Sequence, residues 1–345
     1  MKAAVFYEPN LLKIEEVEEP KIGPEELLVK VELSLTCGTD VKLYKRGHPL
    51  VKPPIIIGHE FVGEIVKVGY NVNKFKLGQR VVSANSAPCN SCLYCKIGKP
   101  NLCERLDEVI IGFTLNGSYA EYVKIPERIV KQNTFTIPEG TNPKRMALLE
   151  PLACVVHGNE LANINLGDKV VVIGSGPIGL LHLWLARLKG ARDVIVVDAE
   201  QKRLDEAKAF GATKTVLAKD EREVMEVMEL TEIGADVVIE AVGIPQTWEK
   251  ALLMCRKGGK VIFFGGCPPN TKASLDTKRI HYGEINLMGC FHHTPNSVLK
   301  AYELLSSGLV EGEKLVSKEM KLDKVKEALD LVSEKKAIKI AITMD

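Results

Sequence analysis

The pattern of apolar residues changes near Glu150, and this change constrains the fold more than any other feature of the sequence. Between Lys2 and about Phe135, short β-branched runs such as LLVKVEL are separated by glycine, proline and asparagine. Beyond Glu150, apolar strands such as DVIVVD alternate with longer helical stretches. The first pattern predicts a largely antiparallel, partly barrel-like domain, and the second predicts a parallel sheet covered by helices. The predicted fold class is α/β, in two domains, because 345 residues exceed what one hydrophobic core usually organises.

The charge balance argues against several classes of partner. The 46 basic and 45 acidic residues leave a net charge of +1, so no overall field favours nucleic acid, an acidic substrate or a membrane surface. The most apolar helical stretch, 177–188, is shorter than the roughly twenty residues that a bilayer span needs. Nine cysteines without a secretory signal favour a reducing compartment. We therefore expect a cytoplasmic protein with neither a nucleic-acid nor a membrane partner.

Four cysteines lie close together in the first domain, at Cys89, Cys92, Cys95 and Cys103. Four thiolates at this spacing can close a tetrahedral shell around one zinc ion and leave no position for substrate, which is typical of a structural site. An iron–sulfur cluster and a disulfide framework are the alternatives. The bacterial cluster motif places its last cysteine three residues on and follows it with proline, whereas here seven residues intervene and Glu104 follows. The spacing therefore favours zinc.

A glycine-rich loop follows the predicted strand 169–173 and precedes a predicted helix. Its candidate cofactor-binding residues are Gly174, Gly176, Pro177, Ile178 and Gly179. Such a loop lets the backbone approach a pyrophosphate, and the helix N-terminus supplies amide donors. A lone motif of this kind is weak among 28 glycines, but its position between a strand and a helix strengthens it.

The residue that ends the second strand of the predicted sheet indicates which dinucleotide binds. Asp198 lies about twenty residues beyond the loop, where a carboxylate accepts both ribose hydroxyls and repels a 2′-phosphate. NAD is therefore favoured over NADP. Arg203 is the opposing observation, since it can stack on adenine or neutralise a phosphate. Two later predicted strands end near Val242 and Gly243 and near Phe264 and Gly265. These strand ends are expected either to flank the nicotinamide or to be ordinary turns.

A second, open metal site is predicted from four residues that are far apart in the sequence. These are Cys37, His59, Glu60 and Glu150. Each has an ordinary alternative, namely a buried core thiol, a turn histidine or a carboxylate at a helix start. Together they supply the sulfur, nitrogen and oxygen donors of a catalytic zinc, which keeps three protein ligands and one open position.

The motifs CGTD, PPIIIGHEFVGEIVKVG, NGSYAEYVKIP, ALLEPLACVVHG and VVVIGSGPIGLL give the chain its family resemblance. Over essentially its whole length it resembles the zinc-containing medium-chain alcohol dehydrogenases, in the branch of sorbitol (polyol) and threonine dehydrogenases. The resemblance implies a GroES-like, largely antiparallel β-barrel catalytic domain of residues 1–152 and 290–345. It also implies a Rossmann domain with a doubly wound parallel sheet, at 153–289, that binds NAD.

The resemblance also implies roles for single residues. Cys37 and His59 match the catalytic zinc ligands, Glu60 ligates zinc or sits just behind it, and Glu150 ligates zinc or holds its water. Thr39 matches the hydroxyl that passes on the substrate proton.

The chain departs from the polyol branch in two places. Lys42 stands where this branch commonly has the histidine of the outer proton relay, so either Lys42 takes part or protons leave through water or His48. His292 and His293 stand where polyol dehydrogenases tend to carry arginine and tyrosine, and either contact the substrate or face solvent.

The function expected from these observations is oxidation of a secondary alcohol of a polyol, cyclitol or sugar derivative, with NAD and two zinc ions as cofactors. An L-threonine 3-dehydrogenase-like enzyme is the alternative. A catalytically silent dinucleotide-binding sensor that keeps only the four-cysteine zinc is a remote one. The family further implies a homo-dimer or homo-tetramer.

Overall fold

The computed structural model describes residues 1–219 and 222–344. It divides into two compact units, which we call the first unit (Met1–Ala153 with His293–Asp345) and the second unit (Cys154–His292). The domain boundaries predicted from the sequence lie after residues 152 and 289.

The strands, in chain order, are β1 (Lys2–Glu8), β2 (Leu11–Glu16), β3 (Leu27–Leu35), β4 (Ile55–Ile56), β5 (Glu60–Val68), β6 (Arg80–Ser83), β7 (Tyr122–Ile125), β8 (Thr134–Thr136), β9 (Lys169–Ile173), β10 (Asp193–Asp198), β11 (Lys214–Leu217), β12 (Ala235–Glu240), β13 (Cys255–Phe263), β14 (Asn286–Gly289), β15 (Val316–Lys321) and β16 (Lys339–Thr343). The α-helices are α1 (Gly38–Arg46), α2 (Leu93–Lys96), α3 (Glu127–Gln132), α4 (Pro143–Met146), α5 (Leu149–Ala162), α6 (Pro177–Leu188), α7 (Gln201–Ala209), α8 (Glu223–Thr231), α9 (Pro245–Met254), α10 (Thr277–Gly283), α11 (Pro295–Ser306) and α12 (Val325–Ser333). Short 3-10 helices span Pro100–Leu102, Leu106–Val109, Gly312–Leu315 and Leu322–Lys324.

The first unit is built on a largely antiparallel sheet with strand order β15-β16-β3-β5-β6-β8, and β7 pairs with β3. A smaller sheet has the order β2-β1-β4. Within β3, Lys30 and Glu32 are exposed while their neighbours are buried, which is the alternation of a strand with one solvated face. The side chains of Phe6, Phe61 and Tyr119 lie in the core of this unit. The largely antiparallel character predicted from the sequence is confirmed.

The second unit is a parallel sheet with strand order β11-β10-β9-β12-β13-β14. Its central strands are buried along nearly their whole length, which explains the continuous valine and isoleucine runs in β9 and β10. The strand 169–173 and the helix 177–188 occur where the sequence predicts them. The order reverses between β9 and β12, and in such sheets ligands bind beyond the carboxyl ends of the strands at that point.

The C-terminal strand β16 lies inside the sheet of the first unit, between β15 and β3. No local sequence pattern indicates that the first residue of β16, Lys339, is buried, with only 2% of its surface exposed. Among the described residues, no helix combines the length and the apolar character needed to cross a membrane.

Candidate active site and cofactor loop

Three potential metal ligands converge in the first unit. One ligand atom each from Cys37, His59 and Glu60 lies within 4.8 Å of the other two. Cys37 is the N-cap of α1: its sulfur accepts the backbone N–H of Thr39 at 3.4 Å, and its own N–H donates to Asp40 Oδ2 at 3.1 Å. This reciprocal capping holds the thiol at the helix start.

The ring of His59 is oriented by a buried carboxylate. Its Nδ1 lies 3.0 Å from Asp40 Oδ1, and the hydroxyl of Tyr119 donates to Asp40 Oδ2 at 2.7 Å. Because an ionised carboxylate only accepts hydrogen bonds, Nδ1 carries the proton and Nε2 is left to bind a metal. Burial lowers the pKa of His59, but the negative charges of Asp40 and Cys37 outweigh burial and raise it overall.

The glycine before this histidine is required by close packing. Gly58 has a φ of +92°, and a Cβ built on it would lie 2.8 Å from the ring of Tyr119. The aromatic ring therefore packs directly on the backbone of the metal-site turn, which keeps its hydroxyl in reach of Asp40.

The two carboxylate oxygens of Glu60 have different surroundings. The side chain is 0% exposed, and Oε2 forms a buried ion pair with Lys339. Oε1 is also buried, and it has no hydrogen-bond partner within the described residues. Burial raises the pKa of Glu60 to about 7, against the opposing effect of Lys339. A buried carboxylate oxygen without a donor is costly unless a cation meets it, so this donor set fits a metal ion such as zinc.

Glu150 lies in the first turn of α5 and is 8% exposed. One of its carboxylate oxygens lies within 4.8 Å of a ring nitrogen of His293, and its charge contributes to the raised pKa of Glu60. His293 is buried, and its Nε2 lies 3.2 Å from Asn85 Oδ1. His293 therefore does not face solvent in the first unit. Its neighbour His292 belongs to the second unit, and its φ is 60°.

The proposed proton relay is only partly assembled in the first unit. Thr39 is half-buried beside Cys37, whereas Lys42 is exposed. His48 is half-buried, and its ring packs against Phe113 with the centroids 5.3 Å apart. Phe113 also packs at 5.3 Å against His59, so His48 shares a neighbour with the metal site.

The four clustered cysteines form a second potential metal site, because their sulfur atoms all lie within 4.8 Å of one another. Cys92 Sγ is 3.5 Å from Cys95 Sγ and 3.9 Å from Cys103 Sγ. No disulfide joins any of the described cysteines. In the absence of a metal, hydrogen bonds from Ser91 lower the pKa of Cys89 to about 5, whereas burial raises the pKa of Cys95 to about 12 and also raises that of Cys103. The arrangement fits four thiolates around one ion.

In the second unit, the glycine-rich loop has the tight geometry that the sequence predicts. Gly174 follows β9 with a φ of +95°, Gly176 is the N-cap of α6, and Pro177 occupies its first turn. A Cβ on Gly179 would lie 1.8 Å from the carbonyl oxygen of Gly174, so only glycine allows this close approach of helix and loop. Ile178 lies between them in the first turn of α6.

Asp198, at the end of β10, is already hydrogen-bonded to this loop. Its Oδ2 accepts the backbone N–H and the hydroxyl of Ser175, both at 2.7 Å, and its Oδ1 accepts the N–H of Glu200 at 3.0 Å. Arg203 Nη1 lies 3.5 Å from the carbonyl oxygen of Ser175. Asp198 and Arg203 therefore both contact Ser175. These are the two residues whose charges were expected to influence the choice between NAD and NADP.

Glu240 organises the two other strand ends. Its Oε1 accepts the N–H groups of Val242 and Gly243, at 2.9 and 2.8 Å. A Cβ on Gly265 would lie 2.4 Å from the backbone nitrogen of Gly243, so the ends of β12 and β13 are in direct contact. Phe264 packs edge-on against the ring of His182 with the centroids 4.6 Å apart.

The comparisons with known proteins agree with this architecture. Residues 23–139 match the family model "Alcohol dehydrogenase GroES-like domain", and residues 177–307 match "Zinc-binding dehydrogenase". The chain is 33% identical over 334 residues to the sorbitol dehydrogenase of Bacillus subtilis strain 168, covering 96% of this chain and 93% of that relative.

The chain belongs to the zinc-binding medium-chain dehydrogenase family. This oxidoreductase lies in the polyol and threonine branch, since it is also 39% identical over 246 residues to the L-threonine 3-dehydrogenase of Bacillus licheniformis, covering 70% of this chain and 69% of that relative. Among solved structures, a zinc-binding dehydrogenase from Sinorhizobium meliloti 1021 bound to NADP matches with a TM-score of 0.91 and 32% identity, over 99% of each chain.

Three residues of this medium-chain dehydrogenase's candidate metal site had no role in the sequence analysis. Asp40 belongs to the CGTD motif. Its position three residues after the capping Cys37 could have predicted that it lies beside the metal site. Tyr119 is the aromatic residue of the NGSYAEY motif. Lys339 had no local signal, because it lies 279 residues from its partner Glu60.

Proposed function

We propose that this dehydrogenase transfers a hydride from a secondary alcohol of a polyol, cyclitol or sugar derivative to NAD. The observation that carries the proposal is the convergence of Cys37, His59 and Glu60, with one buried Glu60 oxygen that has no hydrogen-bond donor among the described residues. The sorbitol dehydrogenase relative supports the class of substrate.

The residues of the first unit have defined roles in this proposal. Cys37, His59 and Glu60 hold the catalytic zinc and leave one position for the substrate oxygen. When bound, zinc supplies the Lewis acidity that lowers the pKa of the substrate hydroxyl, and NAD supplies the hydride acceptor. Thr39 accepts the substrate proton while its own hydroxyl proton passes to the outer relay. His48 is the better candidate for the outer relay than Lys42, because it shares Phe113 with His59 whereas Lys42 is exposed.

The same proposal assigns the remaining groups. Glu150, supported by His293, orients the substrate or a water molecule. The four-cysteine loop holds a structural zinc. The segments 1–152 and 290–345 form the catalytic domain, and 153–289 binds NAD through the glycine-rich loop and the strand ends after β12 and β13. Asp198 favours NAD, because a carboxylate at this strand end repels a 2′-phosphate.

A substrate panel with metal analysis tests this function. We expect NADH formation with sorbitol, xylitol or inositol, two zinc ions per chain, and loss of both activity and one zinc in Cys37→Ser. A matched control is Cys154→Ser, because Cys154 belongs to neither candidate metal site. A tenfold preference for NADP would contradict the role given to Asp198, and activity retained in Cys37→Ser would contradict the metal site.

A second candidate substrate is L-threonine, favoured by the 39% identity to the Bacillus licheniformis enzyme. The same panel separates the two, since an amino-alcohol dehydrogenase reduces NAD with L-threonine and not with the polyols. A silent dinucleotide-binding protein would show one zinc per chain and no activity with any of these substrates.

We also propose that the protein works in the cytoplasm as a homo-dimer or homo-tetramer. The absence of disulfides among its described cysteines supports a reducing compartment. The assembly is a family expectation that light scattering coupled to size-exclusion chromatography tests directly; a monomer at working concentration would contradict it.

A further inference from the structure

Lys339 is a buried lysine at the start of β16, and its surroundings are unusual for a structural residue. Its ammonium group pairs with Glu60 Oε2 and donates to the carbonyl oxygen of Thr36 at 3.0 Å. A buried ion pair seldom contributes net stability, because desolvation of the two charges offsets their attraction. Such a pair is therefore better explained by what it does to Glu60 than by stability.

The two oxygens of Glu60 are made unequal by this contact. Oε2 is held by Lys339, whereas Oε1 is buried without a hydrogen-bond donor in the described part of the chain. Cys37 and His59 each bring a ligand atom within 4.8 Å of a Glu60 oxygen. One oxygen thus has a cationic partner within the protein, whereas the other has none among the described residues.

The Lys339 ammonium group lies against Glu60, which belongs to the same candidate ligand set as Cys37. A thiolate and a carboxylate bring two negative charges to the metal, and Lys339 cancels one of them. Without Lys339, the ligand set would carry more negative charge, and the bound metal would be a weaker Lewis acid.

We propose that Lys339 is a positioning residue that restricts Glu60 to one metal-binding oxygen. A carboxylate that binds through both oxygens would fill the position that the substrate needs. Lys339 holds back the second oxygen and so keeps the metal four-coordinate with one exchangeable position. This inference rests on the proposed function, since it requires a metal at Cys37, His59 and Glu60.

Two substitutions of Lys339 should act in opposite directions. In Lys339→Met, Glu60 is released, binds through both oxygens and holds the metal more tightly while activity falls. In Lys339→Arg, the planar guanidinium can donate to both carboxylate oxygens and draw Glu60 away from the metal, so the metal is held more weakly. A purely structural ion pair predicts instead that both variants lose stability and metal together.

The experiment uses full-length protein with Co²⁺ in the catalytic site and Zn²⁺ in the four-cysteine site. For Lys339→Met we expect a weaker visible Co²⁺ band, because a fifth ligand lowers the intensity of this band. We also expect slower loss of Co²⁺ to a chelator. The kcat should fall by about ten- to a hundredfold, the range found when groups that support metal ligands are removed. Lys339→Arg is expected to lose Co²⁺ faster than wild type. The double variant Glu60→Gln with Lys339→Met, which removes both charges, should show a Co²⁺ band nearer to wild type than the single variant does.

Lys169→Met is the matched control, because Lys169 is also largely buried and donates to a backbone carbonyl, that of Thr231, at 2.6 Å in the second unit. Its Co²⁺ spectrum should equal that of wild type. Unchanged spectra and metal-loss rates in both Lys339 variants, or changes of the same sign, overturn the proposal. If Lys339→Met does not fold, the proposal requires that Lys339→Arg loses Co²⁺ faster than wild type and that the double variant keeps a Co²⁺ band of wild-type intensity. Failure of either result overturns it. Wild-type protein with only one metal ion per chain would contradict the proposed function itself. This outcome differs from failure of the Lys339 proposal, in which wild-type protein binds two metal ions.

Discussion

At the scale of single residues, Asp40 connects the metal site to the core of the first unit. One carboxylate oxygen lies 3.0 Å from His59 Nδ1, and the other accepts the hydroxyl of Tyr119 at 2.7 Å. Groups of this kind fix the tautomer and the direction of a ligating histidine. A polar residue that touches no substrate can therefore still govern the chemistry.

Asp40→Asn should weaken metal binding. The amide keeps the size of the side chain but replaces one acceptor oxygen by a donor NH₂, so it cannot accept from both His59 and Tyr119. We expect affinity for the catalytic metal to fall by about ten- to a hundredfold, measured by competition with a chromogenic chelator. Asp323→Asn, at an exposed aspartate of the same unit, is the control. Equal affinities in wild type and Asp40→Asn would contradict the assigned role.

His182 in α6 predicts a dependence of stability on pH. It is fully buried, its Nδ1 lies 2.8 Å from Asn159 Nδ2, and burial lowers its pKa from the ordinary 6.5 to about 3. Between these two values the unfolded chain binds more protons than the folded protein does, so the free energy of unfolding falls as the pH falls. This contribution is complete above pH 6.5, and we expect a loss of about 2 kcal/mol between pH 7 and pH 5.

Urea titrations at several pH values measure this effect. His182→Gln removes the titrating group and should flatten the slope in that window, whereas His281→Gln, at an exposed histidine, should leave it unchanged. Identical slopes for wild type and His182→Gln would show that burial does not hold this histidine neutral.

At the scale of elements, the loop between β9 and α6 was the most predictable part of the molecule. Strand, glycine motif and helix are consecutive in the sequence, so local patterns report them, and their bounds agree with the structure. The close approach of Gly179 to Gly174 shows why the motif needs its last glycine: the first turn of the helix packs against the end of the strand.

Gly179→Ala tests this packing. Because a Cβ would lie 1.8 Å from the carbonyl oxygen of Gly174, the loop must open and its amide donors must move away from the cofactor phosphates. We expect affinity for NADH to fall by on the order of tenfold or more, measured by NADH fluorescence. Gly289→Ala is the control, since no atom of the described residues, apart from its chain neighbours, lies within 4 Å of its added Cβ. Unchanged NADH affinity would argue that the cofactor binds elsewhere.

At the scale of the whole molecule, the two units have separate hydrophobic cores. The core of the first unit includes Phe6, Phe61 and Tyr119, and that of the second includes Val171, Ile195 and Val238. Both candidate metal sites lie in the first unit, and the glycine-rich loop lies in the second. Loss of metal from the first unit should therefore leave the affinity of the second unit for the cofactor nearly unchanged.

Treatment with a chelator should remove the catalytic zinc and abolish activity while NADH still binds with nearly unchanged affinity. The four-thiolate zinc should be lost only under harsher conditions, and Cys95→Ser should lose this zinc and lower the Tm, because structural zinc contributes directly to folding. Zinc content, Tm and NADH fluorescence on the same samples measure all three. Loss of NADH binding together with the first zinc would show that the units are not independent in this respect.

Local patterns were enough to predict the two kinds of sheet, the order of their elements and most of the candidate ligands. These follow from local periodicity and from motifs whose spacing reflects short-range geometry, as at 169–179 and in the four-cysteine loop. How Glu60 is held depends on the folded chain, which brings Lys339 from the C-terminal strand into the site. The tertiary structure also placed Tyr119 on Asp40, and it left Lys42 exposed. Contacts between residues this far apart in sequence depend on how strands pair across the sheet, and no local pattern encodes that pairing.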